Sequence, residues 1–141
     1  MAGSCRGQVG IEYAALMLFA LIALLPIAFF AYQNLGWQNR VAQAQVATAR
    51  IAAEADLIAA QGAGAKGTVE VFFPDSIDSN SSRTFVNGKQ VQLSLLAPNG
   101  RNDIFAVTKA NVTGTLPSSS GMHTISVSMN STGTVLIQAA T

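Results

Sequence analysis

The sequence is poor in charge. Only 11% of its 141 residues are charged, against about 25% in ordinary soluble domains. The net charge is +1, and the basic residues are scattered rather than clustered. There is therefore no basic patch to neutralise phosphates, and nucleic acid is excluded as a partner on that ground. There is one cysteine, Cys5, so no internal disulfide can form. With one histidine and no second cysteine, metal-ligand clusters of the usual spacings are absent. His123 has no cysteine or acid in its flanking sequence and reads as a surface or structural residue. No glycine-rich phosphate loop, nucleophile elbow or carboxylate pair stands out. Nothing points to an enzyme or a cofactor.

What the chain does have is one long apolar run. Tyr13 to Tyr32 is twenty residues without a charge, nearly all apolar. As a helix it spans about 30 Å, the thickness of a bilayer's hydrocarbon core. Glu12 sits at its lip and Arg6 just before it. The run is too long for the apolar part of a cleaved secretory signal, and no Ala-x-Ala site closes it. An uncleaved anchor, with Arg6 on the inner side, is the plain alternative. Such an anchor leaves Glu12 unexplained. A carboxylate in an apolar helix costs about 2.5–3.5 kcal/mol at the membrane centre and less near the edge. A residue held at that cost needs a partner, and a free α-amino group from a neighbouring chain would be one.

Gly7-Gln8-Val9-Gly10-Ile11-Glu12-Tyr13, followed by the apolar helix, resembles the class III signal peptide of type IV pilins. The similarity is greatest to archaeal type IV pilins, which carry a Gln-x-small-x-Glu-Tyr motif. The resemblance implies cleavage by a membrane prepilin peptidase between Gly7 and Gln8. It implies that the helix is kept, first as a membrane anchor and then as the core of a homopolymeric filament. It implies an ATP-driven assembly platform as a further partner. Glu12 would become the fifth residue of the mature chain, paired with the N-terminus of an adjacent subunit. Glu12 and Tyr13 would thus set assembly register. Pro26, inside the run, removes one backbone hydrogen bond and marks an expected kink.

The helical pattern continues past Tyr32. Trp37, Val41, Ala44, Thr48, Ile51, Ala55 and Ile58 form one mostly apolar stripe. It predicts a single helix from about Ile11 to Ala60, with the stripe packed under a following domain. Tyr32 and Trp37 suit an interfacial belt. Three glycines between Gly62 and Gly67 end the helix and mark a boundary.

From Thr68 the period becomes two. Val69, Val71 and Phe73 alternate, as do Val91, Leu93 and Leu95; Ile104, Ala106 and Thr108; Ile125, Val127 and Met129; and Val135 and Ile137. Asn87-Gly88 predicts a type I′ hairpin between Arg83–Val86 and Lys89–Leu96. The expected fold is α+β and type IV pilin-like: a long N-terminal helix carrying a small antiparallel sheet or sandwich. The expected segments are a leader over 1–7, the helix over 8–61, the boundary over 62–67 and the outer domain over 68–141. The membrane or filament-core half of the helix runs to about residue 32. Asn80, Asn111 and Asn130 each begin an Asn-x-Ser/Thr sequon and are candidate N-glycosylation sites. Asp75, Asp78 and Asn80 lack the ligand number of a calcium loop and read as an Asx-rich turn.

Two function classes follow. One is a structural subunit, anchored in the membrane as a precursor and then part of an extracellular filament for surface attachment. A minor pilin or pseudopilin is its near relative. The other is a single-span, membrane-anchored surface module that binds a ligand through its β-domain.

Overall fold

The computed structural model describes residues 5–78, 84–97 and 100–140, with side chains from residue 10 onward. The first element is helix α1, Cys5–Gln61, 57 residues long. It starts well before Ile11, because neither Gly7 nor Gly10 stops it. A glycine costs a running helix about 1 kcal/mol, too little to terminate one already nucleated. It also remains helical across Pro26. It ends where expected, at the glycines: Gly62 and Gly64 take φ of 95° and 87°, which favours glycine.

Among the described residues five strands follow: β1 (Lys66–Phe73), β2 (Phe85–Ala97), β3 (Gly100–Gly114), β4 (Gly121–Met129) and β5 (Thr134–Ala139). They form a single sheet in the order β1-β4-β5-β3-β2. It is not a sandwich, and it is not wholly antiparallel. β5 lies between β4 and β3 and runs parallel to β3 over Asn111–Gly114 and Thr134–Ile137. A hairpin from β4 returns β5 antiparallel to it, and β5 fills the gap beside β3.

The chain divides into two compact units, Met1–Trp37 and Gln38–Thr141. In the second, the end of α1 supplies the layer that closes one face of the sheet. Ala44, Thr48, Ile51, Ala55 and Ile58, all members of the predicted stripe, are buried. Against them stand Val71, Phe73, Val91, Leu93, Leu95, Ile125, Val127, Val135 and Ile137, each almost fully buried. A single sheet with one bare face would not be stable alone, so the helix completes the core. Thr48 is tolerated inside because its hydroxyl donates to the Ala44 carbonyl at 3.0 Å.

The Asn87-Gly88 hairpin does not form. Both residues lie within β2, and the strands expected to flank a turn pair with β3 instead. Val86 meets Gly114 and Gln90 meets Val107, with a register shift between Gly88 and Gln90. Gly88 has φ of 66°, so the left-handed residue serves a bulge rather than a turn. β3 is 15 residues long and offers partners to both halves. Arg83 lies outside the described residues, as do Pro98 and Asn99 of the predicted turn before Gly100.

Opposite that shift, β3 carries extra residues around Lys109. Asp56 of α1 secures them: its Oδ1 accepts from the backbone N–H of Lys109 at 2.8 Å and of Ala110 at 3.4 Å. The Thr108 hydroxyl donates to the Ala110 carbonyl at 2.8 Å. Asp56→Ala should cost about 1 kcal/mol, the net worth of hydrogen bonds whose donors water can take over. Hydrogen exchange should show the loss first at Lys109 and Ala110. Unchanged protection there would remove Asp56 as the tether.

Candidate functional site

The candidate site is the first part of α1. Every residue from Gly10 to Gly36 is exposed, though most are apolar. Ile11 is 73% exposed, Phe19 75% and Tyr32 79%. The strongest window in this helix has a mean hydropathy of 2.6, and none of it is buried. A Leu, Ile or Phe side chain left in water forgoes roughly 1.5–3 kcal/mol. Summed over this surface, the burial forgone is on the order of tens of kcal/mol. This is more contiguous apolar surface than soluble domains usually leave exposed. The segment is long and apolar enough to cross a membrane.

One carboxylate interrupts this surface. Glu12 shares a helix face with Ala15, Leu16 and Phe19, at spacings of three, four and seven. It makes no ion pair among the described residues. Tyr13 beside it is 67% exposed. The Gly7–Gln8 bond lies within the first turn of α1. Within this segment Phe29 and Phe30 meet edge to face, 6.3 Å between ring centres.

The sheet unit carries the remaining predicted positions. Asn111 is exposed on β3, facing Thr134 of β5 in register. Asn130 is exposed at the β4–β5 turn. Its Oδ1 accepts from Thr132 N at 3.0 Å, Thr132 Oγ1 at 2.7 Å and Thr134 N at 2.9 Å. The side-chain oxygen is thus committed to the turn, and the amide nitrogen bonds no described residue. Asn80 lies outside the described residues. Asp78 is nearly buried, with its Oδ2 3.1 Å from Nε of Arg101. The pair ties the residues that follow β1 to Arg101 on β3.

His123 Nε2 lies 2.9 Å from the Ser119 carbonyl and 3.3 Å from the Ser119 hydroxyl. Bonding the carbonyl requires the proton on Nε2, so that nitrogen cannot also accept one from the hydroxyl. The ring packs 5.5 Å from Phe73. This arrangement pins the start of β4. Among the described residues, no group of three or more His, Cys, Asp or Glu is placed to hold a metal ion.

Sequence reasoning did not reach Asp56 or the Asp78–Arg101 pair. Asp56 left a faint signal: an acid near a helix C-terminus opposes the macrodipole and implies an outside partner. Phe105 and Val107, which alternate with Ile104, Ala106 and Thr108, are 62% and 70% exposed. The chain matches no protein-family model, no curated protein and no solved structure.

Proposed function

We propose that this protein is a structural subunit of the type IV pilin kind. It is made as a membrane-anchored precursor, cut between Gly7 and Gln8 by a prepilin peptidase, and polymerised through its N-terminal helix into an extracellular filament. Surface attachment is the role this reading favours. The observation that carries it is the uncovered apolar segment of α1 bearing Glu12 at its start. A lipid anchor needs the apolar surface and has no use for the acid. A polymer uses both. Helix surfaces leaving lipid gain little from the hydrophobic effect, so specificity must come from packing and from polar partners. Glu12 supplies a polar partner once cleavage creates a positive N-terminus on the next subunit. The pair would form only at the correct axial offset, because a charge left unpaired in an apolar setting is costly. The sheet unit, closed by its own helix layer, would form the filament's outer surface. Export and assembly would require a membrane platform with an ATPase.

Mass spectrometry of protein sheared from the cell surface tests this directly. The reading expects chains that begin at Gln8. Full-length chain found solely in membranes would sink it and leave the anchored binding module. Glu12→Gln should leave anchoring intact and reduce filament yield on the order of a hundredfold, the cost of leaving a buried amine unpaired. Normal filaments from that variant would remove Glu12 from assembly.

A further inference from the structure

An uncovered sheet edge is a template for pairing with another chain, and folds usually obstruct it. This sheet obstructs part of its other open backbone. Beside β2, Asp78 N donates to the Ser94 carbonyl at 2.8 Å and Leu96 N to the Ser76 carbonyl at 2.7 Å. Ile77 bridges Leu95 there. On β3, Asp56 occupies the amides of Lys109 and Ala110. Among the described residues nothing occupies the outer amides of β1, whose edge carries only the charges of Lys66 and Glu70. The strand contains no proline, its register with β4 is unbroken, and among the described residues β4 is its only strand partner.

The free groups of β1 follow from alternation. The Ala65 carbonyl accepts from Met129 N at 2.9 Å, whereas the Thr124 carbonyl of β4 turns the other way, to Ala140 N at 2.8 Å. With Lys66 opposite Ser128, the odd-numbered residues from Gly67 to Phe73 bond toward β4. Lys66, Thr68, Glu70 and Phe72 therefore direct their N–H and C=O groups to the open edge. All four are exposed.

The side chains then select an occupant. A second, antiparallel β1 must match even-numbered residues to even-numbered ones. A register centred on Lys66 or on Glu70 sets like charges face to face. Centred on Thr68, it sets Lys66 against Glu70 of the second copy and Glu70 against its Lys66. No other even-to-even register gives both charges an opposite partner. We propose that the open edge of β1 is an interface with a second copy of this chain, two-fold symmetric about Thr68. Lys66, Thr68 and Glu70 each give one backbone N–H across it and receive one. An apolar groove of about 260 Å³, lined by Val46, Ala47, Arg50, Val71 and Phe72 among others, borders the same strand. The pairing does not use the apolar run of α1, so it stands apart from the filament reading.

Disulfide trapping in the full chain, held in detergent micelles with Cys5→Ser, tests the register. Hydrogen-bonded antiparallel residues lie about 5.5 Å apart at Cα, inside the disulfide range of about 4.4–6.8 Å. Thr68→Cys should cross-link under mild oxidation about tenfold faster than Thr113→Cys, placed on exposed β3. Adding Lys66→Glu should slow it roughly tenfold, and adding Glu70→Lys to that should restore it. Equal rates at positions 68 and 113 would overturn the proposal. So would a rate at 68 that ignores the charge reversal.

Discussion

Gly114→Ala is expected to dismantle the middle of the sheet. Gly114 closes β3, with Val86 of β2 on one side and Ile137 of β5 on the other. Its φ is 149°, where an L side chain is strained. A Cβ added there would run into the backbone carbonyl of Ile137. No rotamer relieves that clash, because Cβ has none. The short parallel pairing of β3 with β5 must separate or the chain must refold around it. The loss should reach at least about 4 kcal/mol, a size seen only where one change breaks the backbone arrangement. Hydrogen exchange on the full chain in detergent should show protection lost at Val112 and Val135. Gly100→Ala is the control. It shares a positive φ of 139° but meets nothing within 4 Å. It should lose only about 1–2 kcal/mol, the cost of the left-handed conformation. A Gly114→Ala protein as protected as its parent would refute the close β3–β5 approach.

Phe73→Ala carries the next largest effect. Phe73 is fully buried, and its neighbour Phe72 is 44% exposed. The two differ only in which face of β1 they occupy. Removing the Phe73 ring should cost about 3–5 kcal/mol, from lost burial and the cavity left behind. It also removes the ring that His123 packs on. Phe72→Ala should cost about 1 kcal/mol, because the ring is already partly in water. Denaturant midpoints read by the circular dichroism of the sheet would separate them. Equal losses at both positions would mean that the two faces of β1 are not distinct.

How far the sequence reaches is decided by the range of each signal. The buried stripe of α1 was legible because its residues repeat at a period set by one helix. The inward faces of β1, β4 and β5 were legible for the matching reason, a period of two. The motif from Gly7 to Tyr13 and the apolar run after it are local too, and the proposed function rests on them. Asn87-Gly88 shows where local reasoning stops. It carries the chemistry of a hairpin turn, yet a 15-residue β3 offers longer pairing and draws both flanks onto itself.

The parallel placement of β5 beside β3, the Asp56 tether and the open edge of β1 have the same origin. Each depends on which strand lies next to which, and no window of adjacent residues records that. The sequence by itself determined the long helix with its buried stripe, the inward faces of β1, β4 and β5, and the apolar run. Tertiary structure alone decided the strand order, and with it which backbone groups stay unpaired. Side-chain periodicity is written into neighbouring residues, whereas hydrogen bonds between strands are settled by competition among distant ones.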